Sequence, residues 1–295
     1  MTMRFRCFAI IPSVLLLVTM SSASALPAAP VDNGMVFGGQ WTPASNATAV
    51  THNLSDLPAV AEVHTATWCD NCVDVEHALE DVHDAGHLQQ YHIHSTFNDP
   101  FGTTELNERW RQKYEPNSPP GVVFNGSVKK VGSVPDDGDL VNEFTNLAQR
   151  DLALGEGTTM FSWTPTTGSS GTFGWALDLE RRHLENATLN VTAWIVETAS
   201  DYEDGQNGLG TYPHIVRQII GLGNASQGTA TIQLPTPNDG NDLEVHLIYE
   251  VMPFVPELVE EKPVQETEDT PALSLFSTMM VVGLALALTQ RDRRE

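Results

Sequence analysis

Basic residues are scarce in this chain: Lys and Arg total 15 against 38 Asp and Glu in 295 residues, a formal net charge of −23. That deficit excludes nucleic-acid binding by counterion release, which needs a basic face. Cysteine is scarcer still, at three. With no second Cys-x-x-Cys pair, a four-thiolate zinc site is excluded. A Gly-x-Ser-x-Gly elbow, a phosphate-binding loop, a His-Glu-x-x-His helix and an internal repeat are also missing, which removes the chemistries those motifs carry. What remains is a chain with 41 % AVILMFWYC and 22 glycines, an ordinary globular composition long enough for about two domains. Its acidic surface suits a salt-rich habitat; an ordinary acidic secreted protein is the other reading.

Both ends carry membrane signals. Arg4 and Arg6 precede an apolar run to Val18 and the small triplet Ala23-Ser24-Ala25, which reads as a secretory signal peptide over 1–25, with an uncleaved anchor as the alternative. Cys7 falls inside it and is given no role. At the other end Ala272 to Leu288 is apolar and is followed by Arg291, Arg293 and Arg294. Seventeen residues reach the lower limit for spanning a hydrocarbon layer of ~30 Å. The trailing arginines place a basic tail, 289–295, in the cytoplasm. The acidic, proline-containing 256–271 reads as an extended stalk. The expected body is therefore at the cell surface, membrane-anchored and extracytoplasmic; a buried core helix is the alternative for 272–288. The tail resembles C-terminal sorting segments of archaeal surface proteins, without their Pro-Gly-Phe triplet. Sequons at Asn46, Asn53, Asn125, Asn186, Asn190 and Asn224 permit glycosylation and agree with export.

Between the ends the pattern changes near residue 155. After an N-terminal extension at 26–56, short apolar runs alternate with helix-like stretches over 57–150: a strand at 60–64, a helix at 72–85, a strand at 91–94, a helix at 104–114, a hairpin over Asn125-Gly126 and a closing helix at 140–150. This predicts an α/β layered domain. Over 155–255 the apolar residues alternate, as in Leu189, Val191, Ala193 and Ile195, which predicts an all-β sandwich domain.

The chemistry lies in Trp68-Cys69-Asp70-Asn71-Cys72, after one expected strand and opening an expected helix. Two cysteines at this spacing can close a short disulfide, and the helix dipole favours the first thiolate. The adjoining Asp70 carboxylate opposes the dipole, so the expected lowering of the Cys69 pKa is mild. Cys69 is the candidate attacking sulfur and Cys72 the resolving one.

With Thr67-Trp68-Cys69, the Cys-x-x-Cys helix and Ser118-Pro119-Pro120-Gly121 on the page, residues 59–149 resemble the thioredoxin superfamily. The resemblance implies a thioredoxin-like fold and a cis proline, Pro120 with Pro119 as fallback, whose neighbouring backbone binds substrate beside Trp68. It also implies a buried strand carboxylate that aids proton transfer; Val63 stands there, with Glu62 and His64 facing the opposite side of the sheet. The two-part layout resembles a bacterial outer-membrane lipoprotein family, whose second-half motifs match loosely at Glu197 to Tyr202 and His214 to Arg217.

The expected function is thus thiol–disulfide oxidoreductase chemistry on protein thiols or disulfides through the Cys69/Cys72 pair, recharged by a membrane redox partner, with no cofactor and no assigned metal. Two alternatives stay open. One is a non-enzymatic cell-surface binding protein whose disulfide is structural. The other is a copper or zinc carrier, because five of the ten histidines, His77, His83, His87, His92 and His94, fall within eighteen positions, and His83 and His87 share a helix face. Against the carrier, these histidines also read as a solvated surface, with His92 and His94 on an exposed strand face.

Overall fold

The structure, a computed structural model, describes residues 26–166 and 169–253. The expected signal peptide at 1–25, the stalk at 256–271, the transmembrane helix at 272–288 and the basic tail at 289–295 lie outside these residues. No helix among the described residues is long and apolar enough to cross a membrane.

The N-terminal extension is built into the body. It supplies β1 (Ala29–Pro30), β2 (Met35–Pro43) and β3 (Thr48–Asn53). Next come β4 (Ala59–Thr65), α1 (Asp70–Asp84), β5 (Leu88–His94), α2 (Thr104–Tyr114), β6 (Gly121–Phe124), β7 (Val128–Val131) and α3 (Leu140–Ala148). The remainder is strand: β8 (Thr158–Pro165), β9 (Ser170–Asp178), β10 (Ala187–Asp201), β11 (Thr211–Gly223), β12 (Gln227–Gln233) and β13 (Leu243–Pro253).

Local chemistry accounts for the shorter elements. Thr103 caps α2 by accepting from the Leu106 N–H at 3.3 Å, and Asp139 caps α3 by accepting from the Asn142 N–H at 2.8 Å. Leu106, Trp110 and Tyr114 recur every four residues and form the buried stripe of α2. The β6–β7 hairpin turns through Asn125, Gly126 and Ser127, with Asn125 and Gly126 at φ 51° and 68°, the left-handed region that these two residue types tolerate best.

Nine strands form one mixed sheet in the order β1-β7-β6-β4-β5-β11-β10-β13-β2, and four form a second in the order β12-β9-β8-β3. In the first, β4 and β5 run parallel, β6 runs antiparallel to β4, and β11 joins β5 in parallel through Ile215 opposite His92. Among the described residues the three largest apolar cores follow. Phe161, Trp163, Phe173 and Trp175 of the small sheet meet Val191, Ala193, Ile195, Val245, Leu247 and Tyr249 of the large one. Helices α1 and α3 bury Val75, Leu79, Val82, Phe144 and Leu147 against Val63, Val122 and Phe124. On the opposite face, Leu106, Trp110 and Tyr114 of α2 cover Val60, Tyr91, Ile93 and Val123 together with Trp194, Val196 and Ile248.

This architecture corrects the expectation of an α/β thioredoxin-like domain followed by an all-β sandwich. The described chain is mostly strand, with thirteen strands and three α-helices, and its largest sheet is shared by the early and late parts of the chain. The physical reason is that the free edge of β5 is paired by β11, and the aromatic stripe of α2 is wide enough to cover strands from both sides of that seam.

The seam also holds buried charge. Glu62 on β4, fully buried, receives Arg109 at 2.5 Å, Lys113 at 3.3 Å and the Tyr114 hydroxyl. Arg109 and Lys113 reach on to Glu250 on β13, at 2.5 and 2.7 Å. Burial alone would raise the Glu62 pKa, but the two cations override it and lower it to about 2.

Candidate functional site at the Cys69 to Cys72 disulfide

Strand β4 ends at Thr65, and five residues later, at Asp70, the chain enters α1. Cys69 is the N-cap of that helix in extended backbone (φ −94°, ψ 98°), and its carbonyl accepts from the Cys72 N–H at 3.1 Å. The cysteines form a disulfide with S–S 2.04 Å and Cα–Cα 5.3 Å. Cys69 keeps 6 % of its surface exposed, Cys72 keeps none, and Ala66 and Trp68 pack around them. Cys69 is therefore the more accessible of the two cysteines.

The chain before Cys69 is held from two sides. Thr67 N–H donates to Asp99 Oδ2 at 2.7 Å, and the Trp68 indole N–H donates to the Phe97 carbonyl at 2.5 Å. From the other side the loop at 202–210, which joins β10 to β11, closes on the Thr67 carbonyl. That oxygen accepts from the N–H groups of Gln206 at 2.9 Å and Asn207 at 3.1 Å, and from the Tyr212 hydroxyl at 3.3 Å. Gly205 has to be glycine for this closure, because a Cβ there would stand 1.9 Å from the Tyr212 hydroxyl oxygen.

Beneath the disulfide lies a group of buried polar side chains that sequence inspection missed. Glu76 follows Cys72 by four residues on one face of α1 and accepts from the Thr65 hydroxyl; its second carboxylate oxygen, Oε2, is buried without a partner. Burial raises the Glu76 pKa above its ordinary 4.5, outweighing the Thr65 bond. His94 Nδ1 lies 3.1 Å from Asp99 Oδ2, and the His94 carbonyl accepts from the Asn107 amide at 2.5 Å. Burial, followed by the charges of Glu76 and Asp99, pushes the Tyr212 hydroxyl up to about 12. The one signal available for Glu76 was its four-residue spacing from Cys72; nothing local marks Tyr212 or the 202–210 loop.

A raised pKa has a direct consequence for stability. The stability contributed by neutral Glu76 is full below the ordinary value of 4.5 and is lost as pH rises through the higher folded value. Glu76→Gln preserves size and stays neutral, so it is expected to flatten that loss. The thermal midpoint at pH 8 should rise, each kcal/mol being worth roughly 2–4 °C in a chain of this size; scanning calorimetry at pH 5 and pH 8 reads the difference.

The other expected residues fall as follows. Pro120 is buried just before β6, the Pro119–Pro120 bond is cis, and the next residue, Gly121, stands opposite His64 on β4. Val63 faces the α1 core, whereas Glu62 and His64 face α2, where His64 stacks on Trp110 at 5.2 Å. The second-half segments converge: Glu197 is buried and accepts from Arg217 at 2.5 Å and from the Asn238 and Asp239 N–H groups. Asn46, Asn53, Asn186 and Asn224 are exposed and Asn190 is half-buried. Asn125 is buried, its side chain accepting from the Val60 N–H at 2.8 Å, so it is a structural residue of the hairpin and a poor glycan acceptor once folded. The exposed face expected for His92 and His94 is also corrected: they are 0 % and 2 % exposed, because β5 is an interior strand covered on both faces.

No family model and no curated protein matches the chain. Solved structures give distant likenesses to bacterial proteins. One is HBP35 of Porphyromonas gingivalis, at 18 % identity over 73 % of this chain and 80 % of that one, TM-score 0.46. Another is a structural-genomics target protein from Agrobacterium tumefaciens, at 15 % identity over 68 % of this chain and 96 % of that one, TM-score 0.41.

Proposed function

We propose that this chain is an extracytoplasmic thiol–disulfide exchange protein acting on protein thiols or disulfides. The observation that carries the reading is the disulfide at the head of α1, in which Cys69 keeps a small exposed area, 6 %, and Cys72 keeps none. A substrate thiolate attacks Cys69 Sγ, the Cys69–Cys72 bond breaks, and its electron pair leaves on Cys72 as a thiolate, giving a mixed disulfide between substrate and Cys69. A second substrate thiolate then displaces Cys69, so that one substrate disulfide forms and both cysteines end reduced. Glu76, one turn along α1 from Cys72 and with its pKa raised by burial, is the carboxyl group placed to exchange a proton with a buried Cys72 thiolate. The helix terminus stabilises the Cys69 thiolate in the reverse direction. Asp70 in the first turn opposes that effect, which favours a mild redox agent.

The experiment is covalent capture. A Cys72→Ser chain incubated with reduced unfolded protein and an oxidant is expected to accumulate an adduct on Cys69 that dithiothreitol releases. An equal yield from a Cys69→Ser chain, or none from either, overturns the assignment of roles.

A second reading, a binding protein whose disulfide is structural, is favoured by one feature. The 202–210 loop is tied to Thr67, and Cys69 retains only 6 % exposure. In that case glutathione fails to open the bond.

A further inference from the structure

Three metal-ligating side chains outside the disulfide site converge where α1 meets the β5–β11 seam. Glu80 and His83 are three residues apart on one face of α1, and His214 reaches them from β11. One ligand atom from each lies within 4.8 Å of the others, and all three residues are half-buried. Glu80 Oε2 is 3.4 Å from His214 Nε2, and the two imidazole rings are 4.7 Å apart. Tetrahedral zinc bonds of about 2.0–2.1 Å set neighbouring donor atoms about 3.3 Å apart, so the Glu80 and His214 atoms already stand at a zinc chord.

The surroundings are those of a supported site. Gln90 on β5 donates to Glu80 Oε2 at 2.6 Å, lies 3.3 Å from His83 Nδ1, and places its own Oε1 3.0 Å from His92 Nε2. An amide that holds a ligating carboxylate this way fixes its orientation. His92 is fully buried with its ring 6.1 Å from that of His214, and its Nδ1 has no partner. His214 itself stands at φ 50°, a backbone region that histidine adopts at a cost and that recurs at ligand sites. The helix pair suggested by spacing alone is not what the fold uses, since His87 lies near Gln149 at 3.5 Å and His83 meets His214.

We infer that Glu80, His83 and His214 form a divalent transition-metal site of zinc type, with two imidazoles, one carboxylate and a fourth position left for water or an incoming ligand. This site is independent of the thiol chemistry proposed above. Histidine and carboxylate donors without thiolate suit Zn²⁺, and three protein ligands are the number found where a coordination position stays open.

The test is Zn²⁺ titration of the purified full-length chain with the Cys69–Cys72 bond kept oxidised, against a chromophoric chelator. One Zn²⁺ per chain is expected. Loss of an outer-shell partner alone costs 10–100-fold in metal affinity, so His83→Ala and His214→Ala should each weaken binding by at least about tenfold. A His77→Ala/His87→Ala chain should bind as the parent does. Zn²⁺ should also raise the melting midpoint of the parent but not of His83→Ala, whose substitution at the half-exposed surface of α1 spares the fold if His214→Ala does not. Binding that survives both single substitutions, that follows His77 and His87, or that is absent in the parent overturns the site.

Discussion

Replacing Cys69 with serine is expected to abolish catalysed thiol–disulfide exchange, leaving the rate of the uncatalysed thiol reaction. Cys72→Ser should also end turnover, but only this variant should hold substrate covalently. The asymmetry follows from burial: Cys72 is at 0 % exposure and Cys69 at 6 %. Turnover assays with a disulfide-bonded protein substrate, followed by non-reducing electrophoresis, separate the two variants. The same substitutions measure what the bond does for the fold. A disulfide closing so short a loop contributes only about 2 kcal/mol in the chain-entropy picture, so the Cys69→Ser/Cys72→Ser chain should remain folded. A collapse of the fold instead would mark the bond as structural.

The largest stability effect is expected at Glu62. Its carboxylate is fully buried and satisfied by Arg109, Lys113 and Tyr114. Removing one member of such a group strands the others without water, which typically costs about 3–5 kcal/mol. Arg109→Met is the sharper substitution, because Arg109 also pairs Glu250 at 2.5 Å and lies 4.9 Å over the Trp194 ring. It should unfold the chain at about 1–2 M less urea than the parent needs, or prevent folding. The acid limb carries the same signature. Glu62 is lowered from 4.5 to about 2, so its stabilisation is complete above 4.5 and is lost as pH falls towards 2. That shift corresponds to on the order of 3 kcal/mol. Urea unfolding at pH 6 and pH 3 should show the parent losing this increment and Glu62→Gln losing almost none of it.

What the sequence made legible was local. The α2 helix at Thr104–Tyr114, the hairpin over Asn125-Gly126, and the strand, Cys-x-x-Cys and helix order all follow from periodicity, turn residues and cap chemistry, which act over a few residues. The misreadings are long-range. That Met35–Pro43 pairs with β13 at the far edge of the large sheet, and that Thr211–Gly223 runs beside Leu88–His94, depends on partners more than a hundred residues away. That second pairing made β5 an interior strand, turned an apparently polar His92-Ile93-His94 face into core, and produced a mostly β body in place of the expected α/β thioredoxin-like fold class. At the site, the two cysteines could be read from their spacing. The loop bonded to the Thr67 carbonyl and the meeting of His83 with His214 arise only when the seam closes.

The most direct measurement is a redox titration of the Cys69–Cys72 bond in glutathione buffers, quenched with a mass-tagged alkylator that counts free thiols. An exchange protein should equilibrate with glutathione, giving a two-electron transition at a potential above about −300 mV. A bond that stays closed in excess reduced glutathione, with a potential well below that value, would contradict the proposed chemistry.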